Sequence, residues 1–248
     1  MPGNYGKYIE PFLGGGALFF AAQPEKAILI DANYELIAAY TAVRDNCKRL
    51  ITELAKYSYD KNRYYEVREW DKKNNFSRLS VIKRAGRLIF LNKTCFNGLY
   101  RVNSQGHFNV PFGRYSNPRI LDKDNLLLCS KALKQAQIIH GSYGMAAKKA
   151  KKNDFVYFDP PYAALSKTSS FASYTLGGFS HEDQIKLQKL CIELDKKGVK
   201  FMLSNSYRPD IVKMYSKFNL EVVLAPRAIN SKSEKRGKVK EIIVRNYK

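Results

Sequence analysis

Acidic residues are scarce in this chain: 22 Asp and Glu stand against 43 Lys and Arg, a formal net charge of +21 over 248 residues. Such an excess repels itself in a compact fold unless a polyanion offsets it, so nucleic acid is the expected partner. A membrane surface is disfavoured, because no basic amphipathic helix with a clean apolar face stands out. Long hydrophobic runs are missing too. The apolar segment Ala17 to Ala22 is too short to span a bilayer, and the start lacks the charged-then-apolar pattern of a signal peptide. Cysteine is limited to Cys47, Cys95, Cys129 and Cys191, scattered without metal-ligand pairing. That spacing argues against a zinc ribbon or a disulfide framework, and predicts no metal. The thiols read as reduced, in a cytoplasm that is bacterial or serves a phage or mobile element. Internal repeats and low-complexity tracts are absent. With an aromatic share of 13% the chain reads as folded. It is one sizeable α/β domain or a core carrying an insertion, expected to act as a monomer.

Two phosphate-binding patterns are also lacking. Neither GxGxxG nor Gly-Lys-Ser/Thr occurs, which argues for an adenosine ligand without a pyrophosphate. What stands in their place is a strand, Lys7 to Glu10, then Pro11-Phe12-Leu13-Gly14-Gly15-Gly16 and an apolar segment that reads as a helix. Glycine in such a turn lets backbone approach a ligand closely. A second strand, Ala27 to Asp31, ends in an acid suited to both hydroxyls of a ribose, although an acid there is more often a helix N-cap. Further on, the apolar run Phe155 to Phe158 ends in Asp159-Pro160-Pro161-Tyr162. Prolines lack N–H donors and fix φ, so this strand mouth offers a carboxylate, backbone carbonyls and an aromatic face. It suits an amino group on a flat ring. In this order, the motifs favour S-adenosylmethionine as cofactor and an amino-methyl transfer.

Between these halves the chain changes character. From 56 to 133 it is dense in Tyr, Arg, Lys and Asn, with weak strand signals and one convincing helix, Ser77 to Asn92, striped by Val81, Ile82, Ala85, Leu88 and Ile89. Leu91 to Tyr115 carries a plausible hairpin turning at Ser104-Gln105-Gly106. A two-stranded ribbon can enter the major groove, where Arg reads guanine and Asn reads adenine, and nearby aromatics can wedge between bases. The α/β pattern resumes with a strand Gln137 to His140, Ser142-Tyr143 at its mouth, and a basic helix Met145 to Lys152. A helix opened by a Ser180/Asp183 capping box closes at Gly198. A strand Lys200 to Ser204, a helix Pro209 to Ser216, and strands Leu220 to Leu224 and Glu241 to Arg245 complete the chain. The expected fold is a Rossmann-like α/β sheet with a core of 1–55 and 134–248. The segment 56–133 is expected to be an inserted, mainly helical domain bearing a β-hairpin.

With Glu10 to Gly16, Phe96-Asn97-Gly98-Leu99-Tyr100-Arg101, Gly106-His107-Phe108-Asn109-Val110-Pro111-Phe112-Gly113 and Asp159 to Tyr162 in that order, the chain resembles Dam-type DNA adenine methyltransferases from Tyr8 to its C-terminus. The resemblance implies methylation of adenine N6 in double-stranded DNA, most typically in GATC, with S-adenosylmethionine as donor. It implies cofactor contacts at Glu10, Pro11, Phe12, Gly14, Gly16, Asp31 and Asp159. A flipped-base pocket at Asp159, Pro160 and Tyr162 is implied as well. Leu99, Arg101, Pro111 and Tyr115 would read bases, Phe96 would intercalate, and Asn97 and Arg114 would touch DNA. Leu203-Ser204-Asn205 resembles the family's next strand, and Asn230 to Lys238 its basic C-terminal loop. The family normally opens with a segment containing Trp and Gly-Gly-Lys. This sequence opens Met1-Pro2-Gly3-Asn4-Tyr5-Gly6, and its one tryptophan is Trp70. The cofactor is therefore expected to be held chiefly by the glycine turn, Asp31 and Asp159, and less tightly than with such a segment. Other acceptors, such as cytosine N4 or an RNA base, stay open, as does a DNA-binding descendant without cofactor affinity. A C5-cytosine enzyme, which needs a nucleophilic cysteine, is disfavoured because no Pro-Cys dipeptide occurs.

Overall fold

Alternation along short apolar runs decides the architecture. The computed structural model describes residues 1–162, 179–226 and 238–248. In chain order it builds β1 (Tyr8–Glu10), α1 (Ala17–Ala22), β2 (Ala27–Asp31), α2 (Tyr34–Leu54), α3 (Lys61–Arg68), α4 (Val81–Thr94) and α5 (Lys123–Leu133). Then follow β3 (Ala136–His140), α6 (Met145–Lys149), β4 (Phe155–Phe158), α7 (His181–Lys196), β5 (Lys200–Ser206), α8 (Pro209–Met214), β6 (Asn219–Pro226) and β7 (Lys238–Arg245). The strands form one sheet in the order β3-β2-β1-β4-β5-β7-β6, in which β7 runs antiparallel to both its neighbours. Side chains on successive strand residues point to opposite faces. Tyr8, Leu29 and Phe155 join one core cluster, with α2 and the insertion. Ile9, Ile28, Ile30, Val156 and Phe158 join the other, with Leu187, Cys191 and Leu194 of α7. Both faces are covered, which is why β1, β2 and β4 read as unbroken apolar runs.

From β1 the chain steps outward to β2 and β3, then returns to β4 on the other side of β1. Such a reversal leaves a crevice at the carboxyl ends of the two strands, where ligands of open α/β sheets bind. Glu10-Pro11 and Asp159-Pro160 lie there. The α/β expectation with a mostly parallel sheet is met.

The capping box at Ser180 is present: its Oγ accepts from the Asp183 N–H at 3.2 Å, and Asp183 Oδ2 accepts from the Ser180 N–H at 3.0 Å. Gly198 follows α7 at φ +69°. Elsewhere bounds shift. The cap of α4 is Ser80, whose Oγ accepts from Lys83, so Ser77 lies outside in a 3-10 turn, Phe76–Arg78. Asn33, not Asp31, caps α2, with its Oδ1 accepting from Glu35 and Leu36. The segment 56–133 has two further helices, α3 and α5, and packs into the same apolar cluster as α2 and β1. Its hairpin is looser than two regular strands. Val102 bridges Phe108 and Cys95 bridges Phe112, with a change of register between them. Pro111 has no N–H to give a ladder, and Asn97 and Gly98, both left-handed at φ +54° and +60°, turn the chain out of extended form. Among the described residues, no helix is long and apolar enough to cross a membrane, and no three His, Cys, Asp or Glu side chains cluster as metal ligands would. The basic loop read at Asn230 to Lys238 lies, apart from Lys238, outside the described residues.

Candidate active site

The glycine turn is built by two demands. Gly14 and Gly16 adopt φ of +46° and +63°, where a side chain is strained. At Gly16 a Cβ would also come within 3.0 Å of the Tyr40 hydroxyl, so this glycine shapes the turn from behind. At Gly14 and Gly15 a Cβ would meet nothing within 4 Å, leaving the turn open to a ligand. Its backbone is tied down from two sides. The Gly14 N–H donates to Asp31 Oδ2 at 3.0 Å, and the Tyr40 hydroxyl of α2 donates to the Gly14 carbonyl at 3.0 Å. Asp31 Oδ1 accepts from the Asn33 N–H at 2.8 Å. Burial pushes the Asp31 carboxyl up and these backbone donors pull it back down.

A cavity of about 650 Å³ opens over the crevice. Pro11, Phe12, Gly14 and Asp31 line one side, and Asp159, Pro160, Pro161 and Tyr162 the other. Glu10 lies beneath, 2% exposed, and accepts from the Tyr8 hydroxyl at 2.8 Å. Phe12 stacks on Tyr143 with centroids 5.1 Å apart, and Phe179 meets both rings edge-on. Asp159 is open to the cavity, yet protein surrounds its other sides. That enclosure raises its carboxyl, while the hydrogen bond from Ser204 lowers it. The Ser204 hydroxyl reaches Asp159 Oδ1 at 2.6 Å. The Tyr162 hydroxyl donates to Glu241 Oε2 of β7 at 3.1 Å.

This donor and acceptor set fits S-adenosylmethionine. The volume lies in the range of small-molecule sites, about 300–1,000 Å³. An open glycine turn admits a ligand backbone, Asp31 retains acceptor capacity for ribose hydroxyls, and carboxylates face the space where a cationic sulfonium would sit. Ala32, Tyr143, Phe179 and Asp183 also line the cavity and Ser204 supports it, though sequence reasoning assigned them no site role. Tyr143 was within reach, since it lies just past the end of β3 as Asp31 lies at the end of β2. Ser204 was not, because its partner is 45 residues away.

The residues expected to read DNA gather elsewhere, at the base of the hairpin. Phe96 is 46% exposed and its N–H donates to the Pro111 carbonyl at 2.9 Å. Asn97, next in sequence, and Pro111 are exposed, as is Arg114, and Leu99 is half-buried. The Tyr115 ring is partly exposed, but its hydroxyl donates to the Cys95 carbonyl at 2.9 Å. That ring needs Gly113: a Cβ there would lie 2.5 Å from Tyr115 Cε2 and 2.7 Å from the Cys95 carbonyl oxygen. Arg101 stands apart, its Nε donating to Asn109 Oδ1 at 2.7 Å.

Comparisons with known proteins agree with this geometry. A type II methyltransferase of Lactococcus lactis subsp. cremoris is 45% identical over 251 residues, covering 100% of this chain and 88% of that protein. One from Methanocaldococcus jannaschii is 46% identical over 260 residues, covering 99% and 90%. The DNA adenine methylase of Escherichia coli K12 is 31% identical over 239 residues, covering 95% and 84%. Over residues 1–229 the sequence matches the family of D12 class N6 adenine-specific DNA methyltransferases. With the crevice, the open glycine turn and the Asp-Pro-Pro-Tyr mouth in place, the chain belongs to that family, and its cofactor is S-adenosylmethionine.

Proposed function

We propose that the chain methylates adenine N6 within GATC in duplex DNA, taking the target base out of the helix into the cavity over β1 and β4. The segment 56–133 serves as the target-reading part. The observation that carries this reading is the strand mouth. Asp159 and the carbonyl-bearing Pro160 face the same cavity as Asp31 and Gly14, so amino-group acceptors and cofactor groups share one space.

An exocyclic amino nitrogen is a poor nucleophile while its lone pair is delocalised into the ring. Acceptors at Asp159 and the Pro160 carbonyl would draw its two N–H bonds out of the ring plane and free the lone pair. S-adenosylmethionine supplies an electrophilic methyl carbon on a sulfonium sulfur. Held by Asp31, Gly14 and Asp159, it would give that methyl to the amino nitrogen and keep the C–S bonding pair on sulfur. Asp159 stabilises the positive charge that develops on nitrogen and lies in position to take the departing proton. Holding the two reactants in line supplies much of the rate. Extruding the base costs a few kcal/mol of stacking and pairing, offset in part by the Tyr162 ring.

Duplex oligonucleotides with and without GATC, followed by nucleoside analysis of the product, test this. N6-methyladenosine from GATC duplexes is expected, and Asp159→Ala should abolish it while DNA binding persists, because phosphate contacts elsewhere dominate affinity. Methylation independent of GATC would remove the sequence assignment. N4-methylcytosine as product would overturn the base, and near-normal turnover in Asp159→Ala would overturn the role of that residue.

A further inference from the structure

Beneath the strand mouth lies a group that the reaction as written does not use. Ser204 is 4% exposed, in the middle of β5. Parallel pairing sets Phe158 against Leu203, so Ser204 comes level with Asp159 by register, not by loop geometry. Its hydroxyl has one proton and three possible acceptors in reach: Asp159 Oδ1 at 2.6 Å, the Phe158 carbonyl at 3.4 Å and the Tyr157 hydroxyl at 3.5 Å. A short bond to a carboxylate is about twice as strong as one between neutral groups, so the proton goes to Asp159. The serine is itself held. It sits in the ladder opposite Ile243 of β7, and its neighbour Asn205, fully buried, donates to Gln184 Oε1 of α7 at 3.0 Å.

We infer that Ser204 is a positioning residue for methyl transfer, donating to one oxygen of Asp159 so that the carboxylate keeps a single rotamer with its remaining lone pairs turned to the substrate amino group. The inference rests on the assignment of Asp159 as that group's acceptor. A carboxylate offers about four acceptor positions. One occupied from below by a rigid strand leaves the others for the cavity, and fixes the plane in which they lie. Without the serine, Asp159 would sit on a two-residue turn between β4 and Pro161 with freedom about χ1 and χ2. The same bond also opposes the rise in the Asp159 carboxyl that its surroundings cause.

Single-turnover methyl transfer, cofactor affinity and DNA affinity measured on Ser204→Ala, Ser204→Thr and Asp159→Ala test the inference. Ser204→Ala is expected to slow transfer by roughly tenfold to a hundredfold, the equivalent of one hydrogen bond to a charged group. Both affinities should hold, and the acid limb of the pH–rate profile should move to higher pH. Ser204→Thr, which keeps the hydroxyl, should recover most of the rate. If Ser204→Ala loses its cooperative thermal transition, Ser204→Cys, similar in size and a weak donor, carries the same comparison. A transfer rate and pH profile equal to wild type in a folded Ala or Cys variant overturn the inference. So does a threonine variant as slow as alanine. With Asp159→Ala inactive, such a result leaves the Asp159 assignment standing; an active Asp159→Ala removes that assignment itself.

Discussion

Glu10 occupies a place where a charged carboxylate is costly. Burial pushes its carboxyl up to about 8, opposed by the Tyr8 hydroxyl and the Phe19 N–H and assisted by the nearby Asp159 and Asp31. The folded protein therefore holds a proton that the unfolded chain has released. The contribution of this carboxyl to stability is greatest at low pH, where it is protonated in both states. It falls as pH rises from the ordinary glutamate range towards the folded value, and levels off beyond it. Thermal melts of the cofactor-free protein between about pH 6 and pH 8.5 should show this decline, and Glu10→Gln should flatten it. Equal slopes in the two proteins would show that Glu10 is not the titrating group. A cationic cofactor nearby would favour the charged form, so the stabilisation it gives should grow with pH over the same interval. Asp31 acts differently, since two backbone donors already hold it. Asp31→Ala should weaken cofactor binding by roughly tenfold or more, read by calorimetry, from the loss of charge-assisted hydrogen bonds to the ribose.

At the scale of elements, the hairpin is hung from α4 by one buried ion pair. Arg87 Nη2 lies 2.8 Å from Asp71 Oδ2, at 4% and 10% side-chain exposure, and Asp71 Oδ2 also accepts from the Phe108 N–H at 2.8 Å. Arg87 also donates from Nε to the Val67 carbonyl and from Nη2 to the Arg68 carbonyl. Removing one partner strands the other, so Arg87→Ala should cost about 3–5 kcal/mol in denaturant unfolding. It should also blur sequence preference by loosening Phe108. A loss below the range of a surface substitution would deny the pair its structural role. Arg101 should act on one base pair instead. Freed from Asn109 and placed on a guanine, it would give ~1–3 kcal/mol of discrimination. Arg101→Ala should then relax one position in a binding-site selection, whereas a uniform loss would make it a phosphate contact. The sequence made β1, β2, β4 and α7 readable, because apolar runs and a capping box are local signals. It hid α3 and α5: α3 buries Tyr64 and Val67 alone, and α5 Leu133 alone, too few for a periodic stripe. In the site, Asp31, the glycine turn and Asp159 were legible at strand ends. Ser204 and the Arg87–Asp71 pair were not, since only strand pairing and helix packing bring them to their partners.

For the whole molecule, the charge of +21 sets how it meets DNA. If six to ten phosphates are neutralised, affinity should fall on the order of a thousandfold or more between 50 and 200 mM salt. Fluorescence anisotropy across that range measures the slope, and a shallow one would mean that most of the basic residues face away from the duplex. Another consequence follows from where the insertion joins the sheet. The chain leaves after α2 and returns at β3, on the opposite side of β1 from β4 and β5. On the proposed function, what is recognised and what is done to it would be written in separate stretches of chain, and one could drift while the other stays. The drift has a boundary, because α2 and the insertion share one apolar cluster through Ala39, Val43, Leu88 and Leu91. An exchanged insertion is heritable only if it offers α2 a surface of the same shape, so new sequence preferences should arise by change at the hairpin long before they arise by replacement of the helices that carry it.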